Sequence, residues 1–329
     1  MKKNFIRRVA TFVMASLAIS TAVLADRAWA QDSYPSKPIN IIISYGPGSS
    51  TDTIARLMQP ELEKELGVPV VIVNKAGAGG AIGTKAIASA EPDGYTIGMS
   101  VVSTFSTNLI FKKQTYDPLT DFSFISRLGY MPRGLAVNSE FPATNHAELV
   151  KELIQNPNKY FYSTVVNTAD QLNAEIYKSA TGTKITAVTY SDNAGKAQLD
   201  LAANRVQLAF ESLPVIRKQL PTGIRIMALS GDTRHPLHPD VPTFKELGLE
   251  DLNVSSYYGF VGPKDMSKDH VAKLNAALKT VLANQKVADG IANFGVQVKT
   301  STPEQHRQDV VRTTRIYTAA ASKLGITPN

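Results

Sequence analysis

Two short stretches of this chain carry residue types that could hold a ligand anion. The first is Tyr45-Gly46-Pro47-Gly48-Ser49-Ser50-Thr51-Asp52, and the second is Asn74-Lys75-Ala76-Gly77-Ala78-Gly79-Gly80. Each follows an apolar run, Ile39 to Ser44 and Val68 to Val73, and each precedes a segment with helical spacing. Glycine lets backbone approach a ligand closely, and a helix start offers free N–H groups and about half a positive charge. In an open α/β sheet, ligands sit at the carboxyl ends of the strands, where both loops lie. Side by side they make an anion site that needs no Arg or Lys. Two ordinary strand-to-helix turns would carry the same glycines, so the pattern alone leaves that alternative open. The candidate ligand contacts here are Tyr45, Gly46, Gly48, Ser49, Ser50, Thr51 and Asp52, then Ala78, Gly79 and Gly80.

Further polar stretches close later strands. Ser100 to Asn108 is rich in hydroxyls, and Ser103 and Thr104 are candidates from it. Thr164 is the last residue of the strand-like Tyr160–Thr164, Asn167 and Thr168 follow it, Asp192 lies in the loop after Ile185–Val188, and the strand Val206–Phe210 ends at Glu211. Tyr45, Phe105 and Tyr257 could line an aromatic slot, although aromatics at an interface more often simply pack.

The elements that must position these residues read as repeated α/β units. Ile39 to Ser44 is apolar throughout, as a strand covered on both faces should be. Ser50 or Thr51 is suited to cap the next helix, which Gly67 ends. Pro60 predicts a kink or a fresh start near Gln59. Pro132 to Val137 reads as a crossing into a second domain and Val254 to Val261 as the return. Thr144 is suited to cap a helix through Gln155, and Pro303 to open a last helix to about Leu324. The expected domains are 31–132 with 256–329, and 133–255.

The chain has 329 residues, 43% hydrophobic, enough for two cored domains. Residues 1–30 read as a secretory signal peptide. Lys2, Lys3, Arg7 and Arg8 precede an apolar stretch, and Ala28-Trp29-Ala30 is a cleavage site of the A-x-A kind. They hold five of the Lys and Arg residues and one Asp, so cleavage after Ala30 lowers the formal charge from +7 to +3. No basic run suggests nucleic acid. Cysteine is absent, which excludes thiol nucleophiles, thiolate metal sites and disulfides. His235 and His238 lack a third metal ligand, so no metal and no cofactor is expected. A periplasmic protein follows.

With these residues in view, the chain resembles the Bug family, the solute-binding receptors of tripartite tricarboxylate transporters. The resemblance rests on Tyr34-Pro35-Ser36-Lys37-Pro38-Ile39, Gly48 to Arg56, Asn74 to Gly80, Pro92-Asp93-Gly94-Tyr95-Thr96, Pro242-Thr243-Phe244, Tyr258-Gly259-Phe260 and Val271 to Asn275, in this order over the mature chain. It implies an α/β fold of the type II periplasmic binding kind. Two α/β domains would be joined by crossing strands and would close on the ligand like a flytrap. It also implies that backbone N–H groups of the two glycine-rich loops hold one carboxylate, that the second domain sets specificity, and that the receptor, a monomer, serves membrane transporter subunits.

The chain departs from the family where specificity would be read. Gly46-Pro47-Gly48-Ser49 replaces Pro-Pro-Gly-Gly. Val166 to Leu172 replaces a Ser-Gly loop before a His-Leu pair. Tyr190-Ser191-Asp192 lacks the cation of Tyr-Lys-Gly. The expected function is capture of a small organic carboxylate for a transporter. The alternatives are a receptor that presents its ligand to a sensor kinase, and an exported enzyme. The enzyme is disfavoured because no nucleophile elbow or H-E-x-x-H pair is present and the second loop spaces its glycines G-x-G-x-x-x-G.

Overall fold

The computed structural model describes residues 34–165, 168–190 and 194–328. The signal-peptide reading of residues 1–30 therefore lies outside the described residues. Among those described, no helix is long and apolar enough to cross a membrane.

The chain is mixed α/β with two sheets. The first sheet has six strands, β1 (Ile39–Ile43), β2 (Val70–Asn74), β3 (Thr96–Val101), β4 (Phe122–Met131), β10 (Ser256–Pro263) and β11 (Gln297–Val298), in the order β11-β4-β10-β3-β1-β2. The second has five, β5 (Arg133–Asn138), β6 (Phe161–Val165), β7 (Thr186–Tyr190), β8 (Leu208–Ser212) and β9 (Ile224–Leu229), in the order β7-β6-β8-β5-β9. β1 pairs parallel with β2 and β3, while β10 is antiparallel to β3 and β4. β6 pairs parallel with β7 and β8, and β5 runs antiparallel to β8 and β9. The carboxyl ends of β1, β3 and β4 and the start of β10 thus share one edge. In the second sheet the ends of β6, β8 and β9 share an edge with the start of β5.

Only Pro132 separates the end of β4 from the start of β5. The join is pinned by Leu213 donating to the Pro132 carbonyl (2.9 Å) and by Ser230, whose N–H donates to the Arg133 carbonyl (2.7 Å). The Arg133 N–H donates in turn to Ser230 Oγ at 2.9 Å. The last helix, Pro303–Lys323, packs on β4 and on the helix Ala169–Thr181 of the second sheet's layer. One apolar cluster runs through it, from Phe105 and Phe124 by way of Val310 and Tyr317 to Tyr177 and Phe210. Burial of that continuous apolar surface holds the back of the molecule together.

Several local expectations are corrected. The first helix, α1 (Ser50–Leu66), runs unbroken through Pro60. Pro60 and Arg56 are exposed, so the carbonyl that proline leaves without a donor faces water. Ser49 caps this helix, not Ser50 or Thr51; its Oγ accepts the Asp52 N–H at 3.3 Å. Asn145, not Thr144, caps the helix His146–Gln155. Thr144 instead donates its N–H and its hydroxyl to Glu148, each at 2.8 Å. The hydroxyl-rich stretch after β3 is a π-helical turn, Ser103–Thr107, continued by a short helix, Asn108–Phe111. A further helix, Gln285–Ala292, was not marked by any of the spacings read above.

Candidate functional site

A cavity of about 420 Å³ opens between the facing edges of the two sheets, within the range of small-ligand sites. The first sheet's layer contributes Tyr45, Ser49, Ser50, Thr51, Val101, Val102, Ser103, Thr107 and Asn108. The crossing segments contribute Met131, Arg133, Ser256, Tyr257 and Tyr258, and the second layer contributes Thr168, Ala169 and Asp170.

The first loop is built around Asp52, which is 2% exposed. Its carboxylate accepts the Gly48 N–H (2.9 Å), Nε of Arg56 (3.0 Å to each oxygen) and Nδ2 of Asn74 (2.9 Å). The Arg56 bond leads the interactions that lower its pKa to about 2, against the opposing cost of burial. Asp52 is thus a brace behind the loop and does not line the cavity. With Ser49 capping, the Asp52 N–H goes to Ser49 Oγ and the Thr53 N–H to the Ser49 carbonyl (2.9 Å). The N–H groups of Ser50 and Thr51 come before any helical bond, and no described residue accepts them. Both residues line the cavity. Gly46 accepts the Ser49 N–H at 3.2 Å, and Gly48 is tied to Asp52, so both shape the turn.

The second loop is a tight turn, Ala78–Gly80, with φ values of 47°, 64° and 94° at Ala78, Gly79 and Gly80. Three left-handed residues in a row are tolerable because two of them have no Cβ. The Gly79 carbonyl accepts Asn108 Nδ2 at 2.9 Å and the Tyr45 hydroxyl at 3.4 Å. The Tyr45 hydroxyl also meets Ser103 Oγ at 2.6 Å, and burial pushes its pKa up. Tyr45, Ser103 and Asn108 therefore lock the two loops and the π-helical turn into one rim. Gly80 is buried against the Tyr45 ring and the Thr104 methyl.

Thr104 is fully buried, with its hydroxyl on the Val101 carbonyl at 3.4 Å, and faces the core. Thr164 is also buried, with its hydroxyl on the Val165 carbonyl at 3.3 Å. Thr168 does line the cavity. Asn167 and Asp192 lie outside the described residues. Glu211 stands in register opposite Gly134, and its carboxylate accepts the Ser212 N–H at 3.2 Å. Burial raises its pKa and the Arg133 charge opposes that rise. Of the aromatics, Tyr45 and Tyr257 line the cavity, whereas Phe105 is a core residue whose ring lies tilted against Phe122, centroids 4.8 Å apart.

The sequence reading missed Arg133, Asp170, Asn108, Ser256 and Tyr258. The cavity is not free of cations: Arg133 lines it, ion-paired with Asp170, and its Nη1 donates to Ser256 Oγ at 3.3 Å. The available signal was a lone Arg directly after the Pro132 crossing. Among the described residues no group of His, Asp and Glu is placed to hold a metal ion.

The model of the tripartite tricarboxylate transporter family receptor matches residues 54–320. The chain belongs to that family. Its members are periplasmic solute-binding receptors, and the family is not one of enzymes. Among curated relatives, the chain is 30% identical over 293 residues to Protein BugT of Bordetella pertussis, covering 88% of this chain and 89% of that one. A solved periplasmic transporter is 36% identical with a TM-score of 0.70, covering 90% and 99% of the two chains. An R. palustris protein solved with adipate is 27% identical with a TM-score of 0.70, covering 90% and 100%. The two-sheet architecture of this receptor is that of the two-domain periplasmic binding proteins.

Proposed function

We propose that this receptor captures a small organic carboxylate between its two α/β domains, 31–132 with 256–329 and 133–255, and delivers it to a tripartite tricarboxylate-type membrane transporter. It acts as a monomer in the periplasm after cleavage behind Ala30. The observation that carries the reading is that Ser50 and Thr51, whose N–H groups no described residue accepts, line the cavity at the positive end of α1. Ser103, and the Tyr258 phenol beside Ser50, line the cavity too and add hydroxyls to its polar surface. Asn108 lines the cavity as well, and its Nδ2 holds the Gly79 carbonyl of the turn Ala78–Gly80, which does not itself line the cavity. A carboxylate seated there exchanges hydration for preorganised donors, which is what makes such a site selective for anions.

The test is a thermal-shift screen of the chain from Gln31, unfolded and refolded to strip carried-over ligand, against a panel of mono-, di- and tricarboxylates. A ligand at about 100 times its Kd adds about 2.7 kcal/mol, a rise of several degrees for a chain of this size. At least one acid is expected to give that rise, and its primary amide is not. A panel that leaves the melting temperature unmoved counts against the carboxylate reading.

A further inference from the structure

We infer that Arg133 is the specificity-determining residue of this cleft: it receives a second, distal anionic group of the ligand, and Asp170 holds that place as a built-in counter-ion until the ligand displaces it. The inference rests on the carboxylate reading above and adds to it which ligands the cleft prefers and why.

The Arg133 side chain is 12% exposed and that of Asp170 is 17% exposed. A guanidinium stays charged at every accessible pH, so this one needs an anion at all times. Asp170 supplies it now. The fork is not saturated, however. Nη1 reaches Ser256 Oγ, while the buried Nε has no partner among the described residues. A planar carboxylate is the shape that such a fork accepts with two parallel bonds.

The two partners are unequal in what each loses on separation. Asp170 is the second residue of the helix Ala169–Thr181. The residue before that helix, Thr168, makes no capping bond; its hydroxyl goes to the Val165 carbonyl at 2.7 Å. A carboxylate in the first turn of a helix is stabilised by the positive end of the helix dipole. Asp170 released from Arg133 has that place to go. Arg133 released from Asp170 has none, and an unpaired charge so deeply placed is costly. Glu211 lies close by in register, but burial pushes it toward the neutral form, so it is a poor substitute. The exchange the structure permits is therefore anion for anion at Arg133. A ligand ammonium taking the place of Arg133 at Asp170 would strand the guanidinium. Ser50 and Thr51 line the same cavity, so one carboxylate of a ligand can sit at α1 while a second meets Arg133.

The experiment measures Kd by calorimetry for straight-chain C4–C6 dicarboxylates and for their monoamides, on the chain from Gln31 and on Arg133→Met and Asp170→Asn. The ratio of the two Kd values is the readout, because a merely structural role would shift both ligands alike. The wild type is expected to favour the best diacid by about tenfold or more over its monoamide. Arg133→Met is expected to bring that ratio close to one with little change for the monoamide. Asp170→Asn, which removes the competitor, is expected to tighten the diacid by about threefold or more. A wild-type ratio near one, a ratio kept in Arg133→Met, or equal loss of both ligands in a folded Arg133→Met overturns the inference. If Arg133→Met does not fold, the Asp170→Asn arm decides alone: weaker or unchanged diacid binding overturns it. Absence of binding by every diacid, monoamide and monocarboxylate to the wild type is a different result, and it overturns the carboxylate reading itself.

Discussion

Gly79→Leu is expected to weaken ligand binding by about 100-fold or more while the protein remains folded. Gly79 is exposed at the rim, and a Cβ there would meet only the Asn108 side-chain amide, at 3.6 Å. Its φ of 64° costs an L-residue on the order of 1–2 kcal/mol, which a chain of this size can absorb. The rest of a leucine side chain has to pass Asn108, whose Nδ2 holds the Gly79 carbonyl at 2.9 Å and which itself lines the cavity. Displacing Asn108 moves a residue that lines the cavity and frees the Gly79 carbonyl to turn. A 1 Å shift of preorganised donors is enough to lose a factor of this size. Gly80 would make a poorer probe, because its Cβ would sit 2.6 Å from the Thr104 methyl and 3.1 Å from the Tyr45 ring. Packing and binding would then fail together. Calorimetry with the strongest acid from the screen, alongside a thermal melt of the free variant, separates the two. Unchanged affinity in a folded Gly79→Leu would remove the second loop from the ligand site.

What the sequence made legible is what local chemistry determines. The run Ile39–Ile43 can hardly be anything but a covered strand, and Gly67 ends α1 in the left-handed conformation with φ 71°. The two loops at strand ends were visible for the same reason. The errors mark where several local solutions are nearly equal. Ser49, Ser50 and Thr51 can all cap a helix, and Ser49 prevails because Asp52 is then placed to take the Gly48 N–H. Pro60 does not break α1 because the cost of a proline depends on whether the stranded carbonyl sees water, which only the helix's orientation reveals. The π-helical turn Ser103–Thr107 has neither helical nor strand periodicity to announce it. Arg133 and Asp170 illustrate the harder limit. Each is an isolated charge in its own stretch, and only the juxtaposition of β5 with the helix after β6 makes them a pair. Thr104 and Thr164 were nominated for their hydroxyls, yet both hydroxyls turn back onto a backbone carbonyl one to three residues away, which is the common fate of a buried Thr.

Asp52→Ala is expected to cost about 2–4 kcal/mol and to loosen the first loop, because it strips one acceptor from Gly48, Arg56 and Asn74 at once. Asn74 keeps a second partner, the Tyr45 carbonyl at 3.0 Å, so the loop is loosened without being lost. The more telling variant is Asp52→Asn, read against pH. The folded pKa of Asp52 is held at about 2, below its ordinary 3.8, chiefly by Arg56. A depressed carboxyl contributes stability that is complete above the unfolded pKa and disappears as pH falls from about 3.8 to about 2. Arg56 is 48% exposed, so solvent screening holds the contribution to about 1–2 kcal/mol. His306 acts in a higher window. It is fully buried with Nε2 on Ser100 Oγ at 2.7 Å, and burial lowers its pKa from 6.5 to about 3. Its neutral form is the folded form, so stability is full above pH 6.5 and falls as pH drops from 6.5 toward 3. Urea midpoints of the wild type should therefore decline in two stages, and Asp52→Asn should lose part of the lower one, which the depressed carboxyls of Asp93, Glu148, Glu152, Asp200 and Glu246 share. If the decline between pH 4 and 2 persists unchanged in Asp52→Asn, the carboxylate is not the held anion. The same bonds explain how an acid can stand at the start of α1 without repelling an acidic ligand. Arg56 neutralises Asp52 from behind, and Ser50 and Thr51, whose N–H groups no described residue accepts, line the cavity.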